Sequence, residues 1–252
     1  MLFVSENFYP EVSSNETGSR IHQYIKKETG CPDPYKNEKK LGNEIALSLM
    51  PTVRELLKED NSLETYLKVA IVGNILDFGS FTLGTDMESL IFEGLKRELI
   101  INDIEKLEHA LNENDRLLYL VDNTGEIVFD KLLIEKIKEY DVDVTVAVKE
   151  KPILNDACLE DALEVGLDEV ADIINTGSDS VGVVQSMISD EFKQILMDSP
   201  LVISKGMGNY EGITEMGFND NQDIFVLLNT KCSAISKDLG VEEGSNVLYK
   251  LE

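Results

Sequence analysis

The chain has 252 residues, 42% of them hydrophobic, enough for one large domain or for a core domain with a smaller companion. It carries 23 basic against 48 acidic side chains, a formal charge of −25. Such a surface repels nucleic-acid phosphates and anionic membranes, which argues against both as partners, and any phosphate site here needs a local cation.

No apolar run approaches the roughly 18 residues of a membrane span. The N-terminal MLFVSENFYP has no basic start of the kind a signal peptide carries. Cys31, Cys158 and Cys232 are widely spaced and odd in number, with no CxxC pair and no disulfide framework, so the expected setting is a reducing cytoplasm.

In chain order, the first thirty residues, with Pro10, Gly18 and Gly30 among scattered polar residues, predict only partial order. In NEIALSLMPTVRELLKED, the residues Ile45, Leu47, Leu49, Val53, Leu56 and Leu57 cover a helical face, with Pro51 marking a kink or a new start. SLETYLKVAIVGNILDFG predicts a helix opened by Ser62 as N-cap, with Glu64 in its first turn and its end near Gly79. Residues 86–97 and 102–113 predict two further helices, so residues 1–115 read as a helical region.

From residue 116 the pattern changes. RLLYLV, VDVTVAV, VADIIN, PLVIS and IFVLLN are short, rich in β-branched residues and nearly continuously apolar, as strands buried on both faces are. Helical stretches at 126–140, 157–165 and 183–198 lie between several of them. The alternation predicts βαβ units and a mainly parallel, doubly wound α/β sheet over residues 116–252.

Each predicted strand runs into a polar cluster: Asp122-Asn123-Thr124-Gly125, then KEKPILND ending in Asn155-Asp156, then NTGSDS, KGMGNYE and NTKCS. Parallel strands bring these clusters to one carboxyl edge, where open α/β sheets bind ligands. Asp122 and Asn123, or Asn155 and Asp156, would each serve as caps for the helices that follow. Together, two carboxylates and an amide oxygen make a hard, oxygen-only pocket suited to Mg²⁺ or Mn²⁺. The two histidines, His22 and His109, both lie in the helical region, which leaves a His–carboxylate or Ser–His–Asp mechanism hard to build.

TGSD and KGMGN add glycines that let backbone N–H groups approach an oxyanion, and Lys205 adds a positive charge. The glycine spacing in GMGNYEG is not the dinucleotide fingerprint. Within AIVGNILDFG, the polar Asn74 and Asp77 sit among apolar neighbours and need partners. They either fasten helix to helix or reach over the sheet edge into the pocket.

GNILDFG, DNTGEIVFD, KPILNDA, TGSD, KGMGNYE and LLNTKC stand in the order and approximate spacing of the damage-control phosphatases, also called domain of unknown function 89. From about residue 15 onwards the chain resembles the prokaryotic branch of that family. IHQYIKKETGCPDPYKNEKK adds to the likeness, and the DNxGExxFD string is quite specific. The resemblance implies a Rossmann-like three-layer α/β/α core with a helical N-terminal subdomain. It also implies a divalent-metal-dependent phosphatase acting on small phosphometabolites, either sugar phosphates or damaged phosphorylated cofactor precursors.

On that resemblance Asp122, Asn123 and Asp156 hold the metal (Mg, Mn, Co or Ni), and Lys205 contacts phosphate. Asn74 and Asp77 lie near the substrate, and Glu126, Thr176, Gly177, Gly206 and Asn209 complete the expected substrate- and phosphate-binding set. Prokaryotic members begin with an additional helical segment bearing a CxxC pair; this chain begins after that point and has no such pair. The attacking group is either metal-bound water with a carboxylate base or Asp122 itself. Two rival readings stand beside this one. A haloacid-dehalogenase-like phosphatase wants a second acid where Thr124 stands, and a non-catalytic binding module would keep Lys205 and the glycine loops without turnover.

Overall fold

The computed structural model describes residues 12–75, 87–219 and 221–251. The five apolar runs become strands, and two more strands join them: β1 (Leu99–Asn102), β2 (Arg116–Leu120), β3 (Asp143–Val148), β4 (Asp172–Asn175), β5 (Leu201–Lys205), β6 (Asp223–Asn229) and β7 (Asn246–Lys250). They form one sheet in the order β1-β7-β6-β5-β2-β3-β4. Strands β2 to β6 are mutually parallel, β7 is antiparallel to β6, and β1 pairs parallel to β7. The chain winds outward from β2 through β3 to β4, then returns to place β5 on the other side of β2. That reversal leaves a crevice beyond the carboxyl ends of β2 and β5, the position where open α/β sheets bind ligands.

The helices among the described residues are α1 (Ser14–Thr29), α2 (Lys36–Glu59), α3 (Leu63–Ile75), α4 (Met87–Lys96), α5 (Ile104–Glu113), α6 (Glu126–Ile137), α7 (Leu159–Glu164), α8 (Asp190–Asp198), α9 (Gly206–Thr214) and α10 (Ser233–Leu239). None is long and apolar enough to cross a membrane. Strand alternation sends Tyr119, Val146, Ile203 and Phe225 to one face, where they pack with α2, α3, α5 and α6. The opposite face sends Leu118, Leu120, Val202 and Ile224 against Phe192 and Leu196 of α8 and Ile213 of α9. The result is a three-layer α/β/α arrangement. Helix α6 is buried nearly all round because α3 covers its outer side, so it lacks the polar stripe of a surface helix. Gly73 makes that approach possible: a Cβ there would lie 2.9 Å from Phe129 Cδ2 and 3.1 Å from Glu126 Cα.

Several expectations need correction. Residues 14–29 form a regular helix, with Ser13 accepting from Glu16 N–H at its start and Gly30 in the left-handed region at its end. Pro51 neither breaks nor restarts α2, which runs through it. The helix expected from residue 183 starts only at Asp190, where Ser189 Oγ accepts from Phe192 N–H. Residues 1–115 are not purely helical, because Leu99–Asn102 pairs with β7 at the sheet edge. Four residues with Ile100 more than half exposed carry too little alternation to stand out between two helices. Ser62 does cap α3, accepting from Thr65 N–H at 3.3 Å, while the expected end near Gly79 lies outside the described residues.

Candidate metal and phosphate site

At the end of β2 the chain enters the crevice through Val121 and Asp122. Two loops meet there in register. Ala157 N–H donates to the Asp122 carbonyl at 2.9 Å, and Thr124 N–H donates to the Asn155 carbonyl at 2.9 Å. Asn123 and Asp156 thereby form an antiparallel bridge. Main-chain bonding therefore brings Asp122, Asn123 and Asp156 together from two separate loops, and Asn123 Nδ2 donates to Asp122 Oδ2 at 3.1 Å. Gly125 turns the chain with φ 76° and gives its N–H to Asn43 Oδ1 at 2.7 Å. Buried Asn43 in turn donates to Glu164, so α2 braces the turn against α7.

None of these acids is a helix cap. Gly125 is the residue before α6, and the first turn of α7 is closed by Asp161 accepting from Cys158 N–H at 2.8 Å. Asp156 is 3% exposed, and among the described residues its Oδ2 makes no close hydrogen bond; Lys149 Nζ lies 3.5 Å away. Burial pushes the Asp156 carboxyl up to about 6, with Lys149 pulling against it. Burial also raises Asp122 well above the carboxylate range, and the nearby Glu126 and Asp156 charges add to this, offset in part by Lys149 and then Lys205. Crowded, desolvated carboxylates of this kind favour a cation between them. The donor set is two carboxylates and an amide; among the described residues no group of three His, Cys, Asp or Glu side chains is placed to hold a metal.

Lys205 does not face the crevice. It is 0% exposed, and its ammonium donates to Ala70 O at 3.1 Å, Glu126 Oε1 at 2.5 Å and Asp130 Oδ1 at 2.7 Å. An ammonium has three donors, and all three are taken. The expected direct phosphate contact through Lys205 is therefore not made in this arrangement: DNxGExxFD supplies Glu126 and Asp130 as its counter-charges. Tyr119 OH donates to the same Asp130 Oδ1 at 2.8 Å.

Gly206, with φ +78°, is where β5 passes into α9, and a Cβ there would collide with the Asp122 carboxylate. That glycine therefore seats Asp122 against the start of α9. Asn209 Nδ2 donates to Val121 O at 3.0 Å and to Lys205 O at 2.8 Å, tying α9 to the end of β2, while its Oδ1 has no partner.

Thr176 and Gly177 lie at the end of β4 in a loop closed mainly on itself. Thr176 N–H donates to Val148 O at 2.8 Å. Gly177 leaves room for Ser189, into which a Cβ would run. Asn229 of the NTKCS cluster turns towards β7, donating to Gly244 O and Asn246 Oδ1. Asn74 lies within α3, and Asp77 falls outside the described residues.

Two features were missed from the sequence. One is Lys149, which was quoted within its cluster and not singled out. The other is α1, whose Asn15, Ser19, Gln23 and Lys26 share one helical face. Asn15 donates to Gly208 O at 2.8 Å, and Ser19 Oγ accepts from Val181 N–H at 2.9 Å. Gln23 and Lys26 both donate to Asp179 at 2.6 Å. The i, i+4, i+8 spacing of that polar face was the signal available.

Comparison with known proteins places the chain in a family. The chain is 43% identical over 238 residues to an uncharacterized protein of Methanocaldococcus jannaschii, covering 92% of this chain and 78% of that one. It is 36% identical over 247 residues to a damage-control phosphatase of Pyrococcus horikoshii, covering 98% and 83%. A damage-control phosphatase of Archaeoglobus fulgidus is 30% identical over 257 residues, covering 100% and 88%. The crystal structure of a DUF89 family protein from Pyrococcus horikoshii matches with a TM-score of 0.83 at 35% identity, over 94% of this chain and 81% of that one. The family described as "Damage-control phosphatase ARMT1-like domain" matches residues 2–247. The crevice beyond β2 and β5 is thus that of a chain belonging to the damage-control phosphatase ARMT1-like family.

Proposed function

We propose that this protein is a divalent-metal-dependent phosphatase that hydrolyses small phosphorylated metabolites, either sugar phosphates or damaged phosphorylated cofactor precursors. The reading is carried by the bridge that sets Asp122 and Asn123 beside Asp156, a half-buried and a buried carboxylate with an amide at the sheet's switch point. The damage-control phosphatases of Pyrococcus and Archaeoglobus support it.

The donor set fits a hard cation. Among the described residues Asp156 Oδ2 is buried without a close hydrogen bond, and every candidate donor is an oxygen. Asp122, Asn123 and Asp156 would hold Mg²⁺, Mn²⁺, Co²⁺ or Ni²⁺. When bound, such an ion supplies Lewis-acid stabilisation of charge on the phosphoryl oxygens.

The chain's own residues do the rest. The first turn of α9 opens on Gly206 beside Asp122, so helix N–H groups and their dipole favour a phosphoryl group there. Glu126, buried behind Asp122, accepts a hydrogen bond from Lys205 and keeps that cation fixed under the site. Lys205 acts from there as a fixed positive charge, not as a ligand to phosphate. Acceleration of phosphomonoester hydrolysis reaches about 10²¹-fold, more than hydrogen bonds alone supply, which is why this carboxylate pair is read as a metal cradle.

The test is phosphate release from a panel of sugar phosphates and an aryl phosphate. Protein stripped with chelator would be reconstituted separately with each of the four ions. Activity restored by metal, and reduced by about 10²-fold or more in Asp122→Ala with unchanged circular dichroism, is the expected result. Full activity in excess chelator, or an active Asp122→Ala, would overturn the reading.

A further inference from the structure

With Lys205 committed below the site, the phosphoryl group still needs a cation on a surface of net charge −25. Lys149 has the right placement. It directly follows β3, and its main-chain N–H donates to Ala157 O at 2.9 Å, so it travels with the loop that carries Asp156. Its ammonium is 3.5 Å from Asp156 Oδ2, a long ion pair at the limit of hydrogen-bond distance. Among the described residues, its short hydrogen bond is to Gly182 O at 2.7 Å. At most two of three donors are engaged, one of them only at the long distance to Asp156, where Lys205 has spent all three.

Its anchor is also informative. Gly182 has φ +63°, and a Cβ there would collide with the carbonyl of Gly208 in the first turn of α9. Lys149 therefore hangs from the loop that packs on the same helix start that Gly206 presents to Asp122. An ammonium with a donor to spare, a pair of candidate metal ligands and a helix N-terminus converge from β3, β2 and β5.

We propose that Lys149 is a catalytic residue, the cation that hydrogen-bonds the phosphoryl oxygens of the substrate and retains them in the product phosphate. The inference rests on the phosphatase reading of this crevice. The rival role is purely local, with Lys149 holding Asp156 in place. The two differ in sign. Removing a cation that sits beside candidate metal ligands leaves metal affinity unchanged or tighter, whereas removing a clamp on Asp156 weakens it.

Binding of Mn²⁺, and of inorganic phosphate at saturating Mn²⁺, would be measured by titration calorimetry on the full chain, on Lys149→Met and on Lys149→Arg. Lys149→Gln, which keeps an N–H for Gly182, replaces Lys149→Met if the latter fails to fold. The expected result is phosphate affinity about tenfold to a hundredfold weaker in the uncharged variant, with most of it regained by arginine. Mn²⁺ affinity stays equal or rises. Unchanged phosphate affinity, loss of Mn²⁺ affinity with phosphate binding kept, or a wild type that binds no phosphate would each overturn the proposal. Wild-type protein that binds phosphate yet releases none from any phosphomonoester would instead sink the phosphatase reading and leave the Lys149 result readable.

Discussion

Lys205, Glu126, Asp130 and Tyr119 form a buried cluster in which one cation balances two acids. Removing one partner of such a cluster leaves the others charged and dry, at a cost of roughly 3–5 kcal/mol. Lys205→Met should lose about that much stability at pH 7 in urea unfolding. The loss also has a predicted pH dependence. Burial already lifts the Asp130 carboxyl to about 6, even with Lys205 pulling it down. Without the cation it rises further, while the unfolded value stays near 3.9. A native carboxyl raised above its unfolded value binds its proton first, so folding gains as pH falls through the raised value. The deficit of Lys205→Met against wild type should therefore shrink between pH 7 and pH 5. A deficit that stays constant, or one within experimental error at pH 7, would remove Lys205 from the framework and restore it as a surface ligand. KGMGNYE put Lys205 at the carboxyl edge of the sheet; that its partners are Glu126 and Asp130, 79 and 75 residues away, was not readable from it.

At the scale of elements, legibility followed burial pattern for four of the five strands read; edge strand β4 was legible although none of its residues is fully buried. The strands β2, β3, β5 and β6 were readable because both of their faces are covered, which forces a continuous apolar run. The edge strand β1 has no such constraint. Helix α1 was missed for another reason. Its inner face is polar, and those groups are satisfied by loops 126 or more residues away, so no apolar periodicity marks it. Yet α1 holds the loop from which Lys149 hangs. Ser19→Ala removes the acceptor for Val181 N–H, a bond of about 1 kcal/mol. Amide exchange at Val181 should quicken by roughly fivefold, with exchange in α6 unchanged. Equal protection at Val181 in both proteins would show that the loop stands without α1. The carboxyl-edge clusters themselves were legible because parallel strands leave their polar ends together; which members meet depended on the bridge between Asn123 and Asp156, a pairing invisible in sequence.

For the molecule as a whole, the main question is whether the helices before residue 116 and the sheet after it fold as two units. Ala46, Val53 and Leu57 of α2 and Leu67 and Ile71 of α3 share one apolar cluster with Tyr119, Phe129, Ile203 and Phe225. Helix α3 lies directly on α6, and its Ala70 carbonyl accepts from Lys205. A boundary at residue 115 would cut through that cluster and expose much of its apolar area, unlike the thin, polar contacts that separate domains. The helical region is therefore better described as the outer layer of the core, and the site depends on it through Asn43, Ala70 and α1. Leu67 is fully buried at this junction. Leu67→Ala should cost about 2–5 kcal/mol and lower a single calorimetric transition, with the sheet and the helices lost together. Two resolved transitions, of which only the earlier one moves, would show instead that the helices melt alone. In that case the sheet would retain its strands above the first transition while losing the contacts that α2 and α3 make to Gly125 and Lys205.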